Sequence, residues 1–537
     1  MSLPLYRPRT TRALAFAAVW AYATLGFAMP AAADEPTAPS ASAPVQVLPE
    51  EAPDGSPAAV LRWGGLMRLR GQWIEDGSLG NGTSGLPATL SAPDRLAQAD
   101  LRLRLTPTLE LGSYARIQGM VDVAGRTVLG SDARDDSIAG RALSFEGSGP
   151  VRDAFAARRL WASFDVFGLA TVDIGRMGDH FGLGIARNDG RDPRADWQSD
   201  VDRVRVAVEL FGLRIRVMRD NMATTPMLNK GLGAEDPVYP LADSTDVVRW
   251  LAEVEDARPA DAPGLHWAFA LGYQDQAVAL ALEHGDDPQG KLQSDCIPRG
   301  TCVQLVTRGA TLVLPQVYLA WNRKRPWGEL HFAVEGAARL GTIDNTDALA
   351  STDTSKTIVA GAFAAEAGLR LGRQHLRVQG GYASGDGEGG FGVLDRQNLT
   401  RTTPAGEVHR SLITGYAMHR GYLVDGLLFR EVIGAVANAA WVRPAWRMEL
   451  WLPTRDSGLT LEAAALLAMS ARIGATPGRA RWLGIEPELR VDWRTSARTD
   501  LILQGSLLLP GDAFDAGQGG KAASMAGRVS LDWILRF

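Results

Sequence analysis

From about residue 60 onward, the recognisable segments of this chain alternate apolar and polar residues, and helical periodicity is nearly absent. LRWGGLMRLRGQW places Leu61, Trp63, Met67, Leu69 and Trp73 on one face, with Arg62, Arg68, Arg70 and Gln72 opposite. AQADLRLRLTPTLEL sets Leu101, Leu103, Leu105 and Leu109 against Asp100, Arg102, Arg104 and Glu110. IEPELRVDWR alternates Ile485, Leu489, Val491 and Trp493 with Glu486, Glu488, Arg490 and Asp492. RVSLDWILRF, which ends on Phe537, sets Val529, Leu531, Trp533 and Leu535 against Arg528, Ser530, Asp532 and Arg536. A period of two means strands with two unlike faces. In a soluble sandwich the apolar face is the core. In a membrane barrel it faces lipid, and the polar face lines the lumen.

The connections separate these two folds. The alternation predicts about 18 strands, within a range of 16–20. Long connections (75–94, 125–151, 179–200, 221–243, 275–309, 343–355, 385–430) alternate with short ones. The short ones fall at Leu111–Ser113, Phe167–Gly168, Phe211–Gly212, 257–264, Arg323–Pro326, Leu371–Gln374 and 452–457, and the pattern weakens near 474–480. A sandwich has no reason to sort its loops by parity. A transmembrane barrel does, because successive connections lie on opposite sides of the membrane. The expectation is all-β: a transmembrane antiparallel β-barrel with long extracellular loops and short periplasmic turns. An even strand count puts both ends of the barrel on the short-turn side. Trp63 and Trp73 share the outward face, and ten residues at a tilt near 40° span about 25 Å, the height of a barrel's apolar band.

Composition agrees and excludes other classes. Hydrophobic residues make up 46% of the chain. Beyond the first thirty residues there is no apolar run of the roughly 20 residues a membrane helix needs. The net charge of −5 is small and unclustered, so nucleic acid is not an expected partner. Residues 1–33 read as an export signal: Arg7, Arg9 and Arg12, an apolar stretch from Ala13 to Ala28, then Ala31, Ala32 and Ala33. Residues 34–59 are Pro/Ala-rich and read as a flexible periplasmic leader, leaving 60–537 for the barrel. The two cysteines, Cys296 and Cys302, stand close together in CIPRGTC. In an exported chain that spacing favours a disulfide closing a small loop over a metal site, which needs more ligands. No cofactor or metal is expected. Asp386 and Glu388 in GDGEGG lack the spacing of a calcium loop and read as a solvated turn.

Family likeness adds to this. An alternating last strand ending in Phe resembles the C-terminal signal that barrel-assembly machinery reads in outer-membrane proteins, which makes Phe537 a candidate assembly signal. IGRMGDHFGLGIARNDG (174–190), DVDRV (200–204), YASGDGEGG (382–390) and NAAWVRP (438–444) resemble landmarks of porin-like barrels, nearest the alginate-export type. The resemblance implies the outer membrane of a Gram-negative bacterium. Its implied partners are membrane lipid, lipopolysaccharide and the assembly machinery. No segment matches the substrate residues of the alginate exporter, so no substrate is carried over.

If the polar faces line a lumen, that lumen is rich in arginine and mixed in sign. Besides the residues above, the inward candidates are Arg116, Arg203, Arg205, Arg214, Arg216, Arg249, Glu253, Arg377 and Arg494. Mixed signs suit ion pairs across neighbouring strands. They also suit a porin or channel for small hydrophilic or anionic solutes, since arginine binds carboxylates through two bonds. The 385–430 connection is long and apolar, with GYLVDGLLF at 421–429. It reads either as a constriction folded into the lumen or as an extra hairpin. The rival functions are a non-conducting structural or adhesive barrel and a membrane-embedded hydrolase. The seven histidines (180, 266, 284, 331, 375, 409, 419) occur in no GxSxG or HExxH context. The enzyme reading would require His180 and His419, or others, to meet in space.

Overall fold

Alternating sequences can bury one face only by joining edge to edge, and a membrane-facing sheet must close so that no backbone edge meets lipid. That is the observed architecture. The computed structural model describes residues 59–80, 95–112, 114–130, 143–144, 155–222, 247–259, 262–284, 296–297, 301–343, 355–386, 391, 412–451, 457–515 and 522–537. Eighteen long strands among these form one antiparallel wall. In chain order they are β1 Val60–Glu75, β2 Arg95–Leu111, β3 Ala115–Gly130, β4 Phe155–Val166, β5 Ala170–Gly178 and β6 Asp200–Leu210. There follow β7 Leu213–Met222, β8 Val247–Asp256, β9 Gly264–His284, β10 Thr301–Arg325, β11 Gly328–Ile343 and β12 Lys356–Leu371. The last six are β13 Gln374–Ala383, β14 Ala439–Trp451, β15 Gly458–Ser470, β16 Trp482–Ser496, β17 Thr499–Pro510 and β18 Ala526–Arg536. Each strand pairs with the next, and β18 pairs back onto β1 from Leu66↔Arg536 to Glu75↔Gly527, closing the barrel. Three two-residue pieces (Leu143–Ser144, Cys296–Ile297, Leu412–Ile413) pair beside the wall.

Two strand starts differ from expectation. The strand expected near 431 begins at Ala439, because Leu428–Val432 is a π-helical turn inside the barrel. The strand expected near 310 begins at Thr301, within the supposed loop. The expected weakening of loop parity near 474–480 does not occur: 471–481 separates β15 from β16, whereas 497–498 suffices for the next hairpin. The turns at Phe167–Gly168 and Phe211–Gly212 have positive φ at both positions (57° and 68°, then 52° and 78°), the twist a tight hairpin requires. The second loop has two residues, closed by Leu210↔Leu213, and the first has Leu169 as a third, closed by Val166↔Ala170.

The wall's two faces differ in chemistry. On β9, Leu265, Phe269, Leu271 and Tyr273 all face outward and are exposed. Trp63, Trp493 and Trp533 stand outward near the short-turn end, where an aromatic girdle belongs. The apolar core lies inside the barrel. The Ala-rich strands that alternate poorly turn Ala360, Ala362, Ala364, Ala383, Ala439 and Ala468 inward. These small residues leave room for Leu427, Leu428, Phe429 and Val432 of the 412–438 segment, which pack against them. The 385–430 question is thus answered for its described part. The chain from Leu412 to Asn438 folds inward, and its strand-like pieces are Leu412–Ile413, beside β12, and a single antiparallel bridge between Ala417 and Ala437. No extra hairpin is present among the described residues.

Candidate functional site in the lumen

Strand parity and burial together place the expected lining residues on the inner face, in three networks. In the first, Arg68 and Arg70 share Asp100 at 2.6 and 2.7 Å, and Arg104 holds Asp122 through two bonds of 2.7 and 3.0 Å. Arg102 donates to the Ala195 carbonyl at 2.8 Å. Arg528 donates to the carbonyl of Gly426 and to Gln72, both at 3.2 Å, while Asp532 lies 4.0 Å from Arg70. In the second network, Arg203 and Arg249 share Asp220, and Arg205 holds Asp173 at 2.8 Å. Arg216 bonds Glu253 at 3.1 Å, and Arg214 bonds Glu255 at 3.0 Å. In the third, Glu488 accepts from Arg443 at 3.0 Å, Arg490 bonds Asp492 at 2.5 Å, and Glu486 caps two lumen backbone N–H groups. Arg62, Arg116, Arg377 and Arg494 lie on the inner face near the short-turn mouth and are exposed. Arg62, Arg377 and Arg494 there pair with Glu110, Glu366 and Asp500.

Sequence reasoning did not foresee that these networks bind chain crossing the lumen. The 179–199 segment leaves β5 at Gly178 and is pinned immediately. Asp179, 1% exposed, accepts from Arg187 at 2.9 Å, Arg203 at 2.8 Å and Arg249 at 2.5 Å. Arg187 also reaches Gln316 at 3.0 Å and Glu253 on the wall. Glu335 of β11 accepts the backbone N–H groups of Gly184 (2.8 Å) and Ile185 (3.3 Å). Gly184 sits at φ +88°, and a side chain at Gly182 would run into that carboxylate at 2.9 Å. Far along the segment, Arg70 grips Asp196 with two bonds of 2.8 and 2.9 Å. Burial alone would raise the Asp196 carboxyl. Arg70, Arg68 and Arg430 more than reverse this and hold it well below the usual carboxylate range.

The 412–438 segment meets the first one in mid-lumen. The His419 N–H donates to the Ile185 carbonyl at 2.7 Å, and Arg430 bonds Asp196 at 3.0 Å and the Arg194 carbonyl at 3.2 Å. Arg420 lies over the Trp197 ring at 4.7 Å. Between wall and segments is a cavity of about 40 Å³ lined in part by Arg68, Arg70, Asp196, Arg420 and Arg430. The signals for these contacts were two stretches already conspicuous in the sequence, HFGLGIARNDG and GYLVDGLLF. What they touch depends on the barrel being closed.

His419 and Ser199 do meet, with Nε2 2.9 Å from Oγ. Yet the Gly421 N–H points at Nδ1 at 2.9 Å, so the ring proton resides on Nε2 and is donated to Ser199. That tautomer cannot take the serine's proton, and the pair acts as a cross-link between the two segments. Burial pushes the His419 imidazole down to about 4. Its ordinary value is near 6.5. Because the folded value is depressed, the stabilisation is complete above pH 6.5 or so and fades as pH falls through about 4. The charges facing the ring are Asp179 and His180 from the other segment, Arg420 beside it and Arg339 from β11. Lumen contacts monitored by proteolysis or hydrogen exchange should therefore loosen near pH 4 in the wild type but not in His419→Gln. An identical acid response in both would remove His419 from this role.

A closed antiparallel wall with an apolar exterior and a charged interior is a porin-like transmembrane barrel of the outer-membrane type. No family model matches the sequence, and neither does any curated protein. Several solved barrels are similar in fold. OccK2 (OpdF) of Pseudomonas aeruginosa, solved in complex with glucuronate, shares 12% identity at a TM-score of 0.46, over 88% of this chain and 98% of its own. OpdK of the same species, solved with vanillate, shares 12% identity at 0.45, over 88% and 99%. A BenF-like porin from Pseudomonas fluorescens Pf-5 shares 10% at 0.45, over 89% and 98%.

Proposed function

We propose that this barrel is an outer-membrane channel for small hydrophilic solutes, anions included, lined by an arginine-rich lumen of mixed sign. The observation that carries the reading is the inner face itself. Buried arginines from β1, β2, β6 and β8 converge on carboxylates of a segment that crosses the lumen, an arrangement that a purely structural wall does not need. Purified protein in planar bilayers should give discrete conductance steps, with a reversal potential set by the lumen charges. A silent barrel would favour the second reading, a non-conducting barrel, which the apolar packing of Leu427, Leu428 and Val432 inside the wall supports. The likeness to alginate-export barrels is kept for architecture alone.

The remaining assignments belong to the same proposal. Residues 1–33 are the export signal and 34–59 the leader, and both lie outside the described residues, apart from Ala59. Membrane lipid, lipopolysaccharide and the assembly machinery are the partners, with Phe537 as the assembly signal. The backbone register sets Cys296 opposite Cys302, a spacing within disulfide reach, although their side chains lie outside the described residues. Glu388 also lies outside them, while Asp386 is buried. Thiol labelling of intact cells after reduction should tag both cysteines. Labelling only after membrane rupture would invert the topology.

A further inference from the structure

The densest cation cluster in the lumen surrounds one loop carboxylate. Asp196 takes both bonds from Arg70, lies 2.9 Å from Arg68 and 3.0 Å from Arg430, and has Arg102 at 3.6 Å. Arg68 and Arg70 come from β1, Arg102 from β2 and Arg430 from the 412–438 segment, so three separate stretches of chain aim guanidinium groups at one point. Asp100 also bonds Arg68 and Arg70, yet it sits in the wall with a side chain only 5% exposed. The Asp196 side chain is 23% exposed, the most accessible group of the set. Arg68 is fully buried, its Nε has no hydrogen-bond partner, and it lines the 40 Å³ cavity beside Asp196. A planar, always-charged fork cluster of this kind matches a carboxylate better than any other small group.

We propose that Asp196 is a tethered occupant of a carboxylate-binding site made by Arg68, Arg70, Arg102 and Arg430, and that small carboxylate solutes use the site by displacing it. The inference rests on the channel reading and names the solute class for the same lumen. Displacement leaves the loop anchored, because three of the same arginines hold its backbone. Arg68 donates to the Pro193 carbonyl at 3.3 Å, Arg102 to Ala195 at 2.8 Å and Arg430 to Arg194 at 3.2 Å. The exchange is also neutral in charge. One carboxylate leaves as another enters, so the buried guanidiniums are never stranded without a counter-charge, the costly event at such sites.

Calorimetric titration of the detergent-solubilised barrel with benzoate, and with benzamide as its uncharged isostere, tests this. Asp196→Asn should bind benzoate roughly tenfold or more tightly than the wild type, a gain of about 1.4 kcal/mol per decade, with benzamide unchanged. Asp196→Glu restores a tethered carboxylate and should stay near the wild type. Asp192→Asn removes the same charge from the same loop outside the cage, where Asp192 pairs with Arg194, and should also stay near the wild type. If the Asn variant fails to assemble, Arg430→Gln in the folded barrel provides the reading by losing benzoate affinity. Equal gains in Asp196→Asn and Asp192→Asn would reduce the effect to long-range charge and overturn the proposal. So would a folded Asp196→Asn barrel with no gain. A barrel that conducts but shows no benzoate gain sinks this inference alone. One that binds benzoate as described but never conducts sinks the channel reading alone.

Discussion

Replacing Asp179 with alanine is expected to open the lumen more than any other single change in the barrel. One carboxylate there serves Arg187, Arg203 and Arg249, so the substitution takes a partner from three buried guanidiniums at once. Breaking a buried ion pair by removing one partner costs about 3–5 kcal/mol. The wall need not absorb that loss, since Arg203 and Arg249 retain Asp220. The loss falls on the attachment of 179–199, whose Arg187 keeps only Glu253 and Gln316. Larger and noisier single-channel currents should result, together with protease cleavage inside 179–199 in a barrel that still resists SDS. Asp179→Asn, which keeps an acceptor oxygen but not the charge, should fall between. Wild-type currents and digestion in the alanine variant would show that the segment is held by its glycine turns and Glu335 instead.

The second large effect is expected at the seam. Phe537 completes the β18–β1 join: the Gly65 N–H donates to its carbonyl at 2.8 Å, and its own N–H returns a bond to Gly65 at 3.2 Å. Its ring covers Gly65 so closely that a Cβ at that position would lie 2.3 Å from the ring. Deleting Phe537 should sharply lower the amount of barrel in the outer membrane, while refolding into detergent still succeeds. Half-burying a Phe is worth only about 1–2 kcal/mol. Refolding separates the two ways the ring could act, whereas a substitution at Gly65 would not, since a Cβ there also lies 2.7 Å from the Arg104 carbonyl and would disturb the β1–β2 ladder. If the assembly machinery reads the ring, the truncated chain closes in detergent and is lost only from cells. Failure of the truncated chain to refold would mean that the ring acts through packing.

The wall was legible in the sequence because its physics is local. Alternation tells inside from outside at Arg68, Leu69 and Arg70 without knowledge of any partner strand, and positive-φ turns such as Phe211–Gly212 announce themselves as pairs of residues. The contents of the lumen were not legible, because they depend on chain brought together only by closure. Arg70 meets Asp196 across 126 positions, and Arg430 meets the same carboxylate across 234. The inward alanines near 360 blur the alternation of their strand, and the reason lies in the residues that fill the space over them, Leu427 and Leu428. The strand misplaced at 431 fails for the same reason: the apolar run there answers to the interior of the barrel, not to lipid.

The ladder that runs from Val60 round to Arg536 consists of backbone hydrogen bonds, and these do not read side chains. Outward wall positions therefore carry little information beyond which way they point, and a strand can exchange most of those residues while keeping its place. The two crossing segments are different, since each contact there names a particular partner at a particular reach. Natural variation in a barrel of this build can thus run freely on the outer face of the frame while the contents of the lumen are rewritten in two short stretches of loop and the inward residues that grip them, without renegotiating the fold.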